Sequence, residues 1–298
     1  MIKPKRTFSI NLFATNNHIF DVSSWKSIKM IKCNTFLKYN PVTIIADPFL
    51  FVRNDCLFLF YEKLVSDKGV IEMINTNDLI NWTVPVTVLK RDTHLSYPFV
   101  FEDASDIFMI PETHQEKNIQ LLKANQNLTK WTFEKEILNG DGYLDSSIFL
   151  HKDVYYLFTT TKKNGEYQLH LFFSEKLRGK FLRHPKSPIA VGNSVGRCGG
   201  SIFEFENKIY RPAQICKNYY GESLSLFYIK VLTPVDYEEE IEVEKILSKK
   251  FKHGGHHFNY TKFNDKLIIA TDVMNLKYLF FDKVIKQLKF LLINNRKP

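Results

Sequence analysis

The segment Ala46-Asp47-Pro48-Phe49-Leu50-Phe51 is echoed by Ser96-Tyr97-Pro98-Phe99-Val100-Phe101, and the match runs on without a gap to a carboxylate in each copy, Glu62 and Glu112. Further copies begin at Asp145, Gly199 and His257, which divides the chain into five units of about 50 residues. Each unit opens with two apolar runs joined by a polar turn, such as Arg53-Asn54-Asp55 or His151-Lys152-Asp153, the signature of a β-hairpin. In the first four units a third run follows (Val70–Ile74, Ile119–Leu122, Gln168–Phe172, Leu224–Tyr228). An aromatic residue, Trp82, Trp131, Phe181 or Tyr237, then starts a fourth. Repeated groups of four strands are the blades of a propeller, so the expected fold is all-β, a five-bladed β-propeller with four-stranded blades. No linker or low-complexity stretch divides residues 1–298, which read as a single domain with inner strands starting near 47, 97, 145, 199 and 257. Tyr278–Phe281 and Leu288–Leu292 are expected to complete the fifth blade, and Phe8–Met30 to add an outer strand that helps close the ring.

Composition agrees with strands, since aromatics reach 14% of the chain, with 26 Phe and 14 Tyr. The net charge of +9 comes from scattered rather than clustered lysines, so no nucleic-acid partner is expected. That surplus suits a phosphate-bearing ligand or an anionic membrane surface. Cys33, Cys56, Cys198 and Cys216 have neither metal-site spacing nor a small disulfide framework and read as reduced thiols. Met1–Ser9 lacks an apolar signal core, and no apolar stretch is long enough to span a bilayer. The expected location is therefore cytoplasmic, where the charge would favour the inner face of the membrane.

Within a blade the first residue of strand one and the last of strand two meet near the axis. Around the ring these pairs are Asp47 with Glu62, Tyr97 with Glu112, Asp145 with Thr160, Gly199 with Gln214, and His257 with Asp272. All but Gly199 are polar, although the strands between them are built of Phe, Leu, Ile and Val. A core made only for stability would avoid this, because an unpaired buried charge costs several kcal/mol; hydration of the channel is the structural alternative. Arg197 and Arg211 flank the same rim as donors for a carboxylate or phosphate, with an ion pair to Glu62, Glu112 or Asp145 as the structural alternative. His253, His256 and His257 surround Gly254-Gly255, which reads as a mobile loop over the mouth. Adjacent histidines along a strand face opposite sides, so no metal site is expected, nor any other cofactor. Carboxylates spaced around a sugar are what glycosyl transfer needs, one handling a proton and another the charge or nucleophile.

Ala46-Asp47-Pro48-Phe49 followed by Phe60-Tyr61-Glu62 resembles the first blade of the five-bladed furanosidase-type enzymes of glycoside hydrolase families 43 and 32. More closely, Ser96–Glu102, Ile110-Pro111-Glu112, Arg211-Pro212-Ala213-Gln214 and His257-Phe258-Asn259 resemble the propeller at the N-terminus of plant glucosamine inositolphosphorylceramide transferases, and bacterial surface-glycan gene products, over roughly residues 40–275. The resemblance implies that Asp47 is the catalytic base. The hydrolases carry an Asp on blade two and a Glu on blade three, where this chain has Tyr97 and Asp145, so their triad is not intact. The acid role is open between Glu112 and Asp145. The expected protein is a carbohydrate-active enzyme of bacterial surface-polysaccharide biosynthesis that transfers a glycosyl or related group. A furanosidase-type hydrolase or a non-catalytic glycan-binding propeller is the alternative. Its partners would be a sugar donor, a nucleotide sugar among the candidates, and a glycan or lipid-linked acceptor. Glu62, Tyr97, Arg197, Arg211, Gln214, His256, His257 and Asn259 are the expected substrate contacts.

Overall fold

A computed structural model describes residues 5–32, 44–65 and 67–277. These form five antiparallel sheets arranged as the blades of a propeller. Blade 1 comprises Ile45–Arg53, Cys56–Val65, Lys68–Thr76 and Val86–Leu89; blade 2 comprises Ser96–Asp103, Asp106–Glu112, Asn118–Ala124 and Trp131–Asn139. In blade 3, Leu144–His151, Val154–Lys163 and Glu166–Ser174 are followed by an outer strand split into Leu182–Arg183 and Ala190–Val191. Phe203–Phe205, Lys208–Ile215, Ser223–Leu232 and Tyr237–Val243 make blade 4. Each inner hairpin turns on two consecutive left-handed residues: Asn54-Asp55, Ala104-Ser105, Lys152-Asp153, Glu206-Asn207 and Asn264-Asp265. Positive φ at both positions matches the right-handed strand twist, so one turn type recurs in all five blades.

Blade 5 joins the two ends of the chain. Phe258–Phe263 and Lys266–Lys277 form its inner half, while Lys5–Thr15 and Lys26–Ile31 supply its third and fourth strands. Lys5–Thr15 pairs with the long strand without interruption from Lys5 opposite Lys277 to Thr15 opposite Leu267. The N-terminal segment therefore contributes the whole outer half of the blade, where one extra strand was expected. Tyr278–Phe281, Leu288–Leu292 and Cys33 lie outside the described residues. Among the described residues Cys56, Cys198 and Cys216 are free thiols, with Cys198 buried, and no helix is long and apolar enough to cross a membrane.

Apolar side chains fill the spaces between sheets, where burial provides the main driving force. The recurring aromatics stand there. Trp131 of blade 2 meets Phe60 of blade 1 edge-on at 5.8 Å, and Tyr237 of blade 4 meets Phe158 of blade 3 at 6.2 Å. Trp82 packs on the cluster between blades 1 and 5, and Phe181 is buried. Trp131→Ala is expected to lower stability by about 3 kcal/mol, the low end for an aromatic truncation because the ring is only half-buried, with ligand affinity unchanged. Chemical denaturation alongside a binding assay checks this.

Candidate functional site

Three inner strands begin with the same irregularity. Asp47, Tyr97 and Asp145 have φ of 51°, 46° and 49°, left-handed values for residues that carry a Cβ. The strand register slips at each of them, between Ala46 and Phe49, Ser96 and Phe99, and Leu144 and Ser147. Such a bulge re-aims a side chain, at a strain of about 1–2 kcal/mol per residue. Carboxylates offset the strain by bridging neighbouring blades: Tyr97 N–H donates to Asp47 Oδ2 at 3.2 Å, and Asp145 N–H donates to Glu112 Oε2 at 3.2 Å.

Asp47, Glu62, Glu112, Asp145 and Asp272 are thereby gathered near the axis, all of them buried. Cations are set among them. Arg197 Nε donates to Asp145 Oδ2 at 2.6 Å, Gln214 Nε2 donates to the same oxygen at 3.0 Å, and the guanidinium lies between the rings of Tyr167 and Tyr220 at 5.1 and 5.0 Å. His256 stands between two carboxylates, with Nε2 3.2 Å from Asp47 Oδ1 and Nδ1 3.0 Å from Asp272 Oδ2. The second contact is too poorly aligned for a hydrogen bond and acts as an ion contact. His114 Nδ1 lies 2.8 Å from Glu112 Oε1, and His94 Nε2 lies 3.4 Å from Glu62 Oε1. Gly69 N–H donates to His94 Nδ1 at 3.0 Å, which leaves the His94 proton on the Nε2 that faces Glu62.

These surroundings separate the carboxyl groups. Burial opposes ionisation of Asp47, but the hydrogen bond and charge of His256, with His257 and Arg197, hold it at about 2. Burial and the charges of Asp47 and Glu112 push Glu62 well above the usual carboxyl range. Asp145 is pushed up to about 7 by burial and by Glu112 and Asp47, against the pull of Arg197. Glu112 is lowered despite burial, because His114 bonds it and Arg197 is near. His256 is raised well above the usual imidazole range: burial works against its charge, and Asp272 and Asp47 outweigh burial. Asp47 titrates below its unfolded value of 3.8, so its contribution to stability is present above about pH 4 and is lost as pH falls towards 2. The melting-temperature difference between the wild type and Asp47→Asn should therefore shrink over that interval in an acid series.

Among the described residues, ligand atoms of Asp47, His256 and Asp272 lie within 4.8 Å of one another, close enough to hold a metal ion. Each imidazole nitrogen of His256 already faces a carboxylate. A cation would enter only after displacing the proton that those two carboxylates keep in place.

The described chain matches the family "Glucosamine inositolphosphorylceramide transferase 1, N-terminal" over residues 8–273. The chain belongs to this family. It is 35% identical over 212 residues to glucosamine inositolphosphorylceramide transferase 1 of Oryza sativa subsp. japonica, covering 67% of this chain and 28% of that protein. With the Arabidopsis thaliana protein of the same name it shares 32% over 250 residues, covering 77% and 32% respectively. The chain thus spans about a third or less of its curated relatives. Among solved structures, a family 117 glycoside hydrolase of Zobellia galactanivorans superposes with a TM-score of 0.55 at 12% identity, over 77% of this chain and 84% of that one. An exo-1,5-α-L-arabinanase from a bovine ruminal metagenome superposes with a TM-score of 0.56 at 14% identity, over 82% and 97%. The fold of this family member is that of the furanosidase-type propellers.

Of the residues singled out in the sequence, Asp47, Glu62, Glu112, Asp145, Arg197, Gln214, His256 and His257 are brought together at the axis, with His257 Nδ1 3.7 Å from Asp47 Oδ1. Three expected contacts lie elsewhere. Arg211 is fully buried and forks onto Glu239 of the outer strand, Nε to Oε2 at 2.7 Å and Nη2 to Oε1 at 2.6 Å. Its position three residues before Gln214 puts it on the opposite face of the strand. Tyr97 turns its ring into the core against Phe49 and His257, and its hydroxyl accepts from Gly200 N–H at 3.1 Å. Gly200, at φ 146°, is needed for a separate contact, the approach of the Phe258 carbonyl: a Cβ there would sit 1.9 Å from Phe258 O. Asn259 is a strut between blades, accepting from Leu50 N–H at 2.9 Å and donating to Ser201 Oγ at 2.8 Å. The Gly254-Gly255 loop is pinned and buried rather than a mobile cover, since Met274 N–H donates to Gly254 O at 2.9 Å and a Cβ on Gly255 would meet Asp272 O at 2.2 Å. His94, His114, Tyr167 and Tyr220 went unnoticed because they lie outside the repeated axial positions; for His114 the one available signal was its place two residues after Glu112.

Proposed function

We propose that the axial site catalyses glycosyl transfer in bacterial surface-polysaccharide assembly, from a nucleotide-sugar donor to a glycan or lipid-linked acceptor. The carrying observation is the unlike setting of two carboxyls in one buried cluster: Asp47 has His256 on one oxygen and Tyr97 N–H on the other and is held below the carboxyl range, whereas Asp145, beside Glu112 and Asp47, is raised above it despite Arg197. Such a separation assigns roles, one group as fixed charge and the other as proton carrier. Asp47 has both oxygens engaged and is too acidic to take a proton efficiently, so it serves as the negative charge facing the oxocarbenium-like centre. Asp145 protonates the leaving oxygen, and Glu112, which stays ionised, leaves that role. Arg197, oriented by the two tyrosine rings, receives the donor phosphate. This reading includes a cytoplasmic location at the inner membrane face, where the charge of +9 would suit an anionic surface carrying a lipid-linked acceptor.

Activity should fall above about pH 7, as Asp145 loses its proton, and Asp145→Asn should remove that alkaline limb together with most of the turnover. A kcat–pH profile on a donor found by screening nucleotide sugars for binding tests this. A flat profile across pH 7 rejects the acid assignment. The modest coverage of the relatives favours a second reading, a glycan-binding unit that presents substrate to a catalytic domain. In that case Asp47→Asn alters binding and no turnover is found.

A further inference from the structure

With Asp47 committed as a fixed charge and Asp145 as the acid, the acceptor hydroxyl still needs a group to take its proton. His114 is the side chain placed to do so. Its Nδ1 is hydrogen-bonded to Glu112 Oε1 at 2.8 Å, and Glu112 is itself fixed by Asp145 N–H on its other oxygen. The carboxylate is 5% exposed and the imidazole 36%, so a buried anion backs a ring that reaches solvent. Its Nε2 has no protein partner among the described residues. This is the arrangement that orients an imidazole and stabilises it once protonated.

Resting on the glycosyl-transfer reading, we infer that the His114–Glu112 pair is the general base of the site. As the acceptor oxygen bonds to the anomeric carbon, its proton passes to His114 Nε2. The bond to the leaving oxygen breaks with its electron pair, and that oxygen takes the proton of Asp145. Glu112 stays ionised and stabilises the imidazolium. Four groups act on His114: Glu112 and Asp145 favour its protonated form, Arg197 opposes it, and His94 lies with its ring 6.1 Å away. Their sum raises His114 above the usual imidazole range, the hydrogen bond to Glu112 outweighing burial. The base needs His114 without its proton and the acid needs Asp145 with one, so the rate falls on both the acidic and the alkaline side of a maximum.

The test has two arms. In the first, NMR titration of the ligand-free protein should find His114 titrating above the free-imidazole value, and Glu112→Gln should bring it down. A value at or below that of free imidazole, or one indifferent to Glu112→Gln, overturns the pairing. In the second arm, a panel of nucleotide sugars is offered with phosphatidylinositol vesicles or water as acceptor. His114→Gln should lose at least about 100-fold in kcat/KM and its acidic limb, with partial rescue of His114→Ala by added imidazole. Asp47→Asn should lose rate and keep that limb. If His114→Gln matches the wild type, the inference fails and the glycosyl-transfer reading stands. If the wild type turns over nothing in the panel, that reading fails and takes the inference with it.

Discussion

Asp47→Asn is expected to fold and to lose at least about 100-fold in kcat on any substrate the wild type turns over. Asparagine keeps the size of the side chain and can still accept from Tyr97 N–H, but it removes the negative charge between His256 and the axis. Stabilisation of developing charge by a fixed, buried group is typically worth about 10²–10³ in rate, because in a site of low polarity the group needs no reorganisation as the reaction proceeds. KM should change little, since the charge acts on the transition state more than on the neutral sugar. Circular dichroism and a melting curve establish the fold, and steady-state kinetics the loss. Wild-type kcat in a folded Asp47→Asn protein would remove Asp47 from the chemistry.

Arg211→Ala should act in the opposite way, on stability and not on the site. The side chain is fully buried, forks onto Glu239, donates to Val195 O at 3.1 Å and lies over Phe227 at 4.6 Å. Removing one partner of a buried pair leaves the other charge without compensation, which costs about 3–5 kcal/mol. In a chain of this size the melting temperature should fall by about 10 °C. Sugar-donor affinity of the folded fraction should remain that of the wild type. A stable Arg211→Ala protein with weakened donor binding would return Arg211 to the site.

Blades 1 to 4 were legible because each unit repeats a pattern fixed by sheet geometry: alternation along strands, a two-residue left-handed turn, and an aromatic between blades. The outer half of blade 5 was not legible. Lys5–Thr15 carries no inner hairpin to align with the repeat, and its place is set by backbone pairing with a strand at the far end of the chain. The axial carboxylates were readable as polar residues interrupting apolar runs. The bulges at Asp47, Tyr97 and Asp145 were not, because a left-handed Asp or Tyr leaves no compositional trace of the kind that glycine leaves. That local geometry explains why Tyr97 and Asp47, aligned in the repeat, have different fates: the aspartate meets His256 at the axis, while the tyrosine ring finds Phe49 and His257 in the core. Arg211 was misplaced by one step of strand alternation. His114 and Tyr220 lie in connections whose lengths do not repeat, so periodicity says nothing of them.

A crystal structure of the protein with the nucleotide sugar that binds in the donor screen tests the central claim most directly. The sugar should lie at the axial site, its ring beside Asp47 and Asp145 and its diphosphate on Arg197 between Tyr167 and Tyr220. A sugar seated instead in the surface cavity of about 600 Å³ lined by Asn17, His18, Glu204 and Tyr260, or an axial site left empty at saturating ligand, would contradict it.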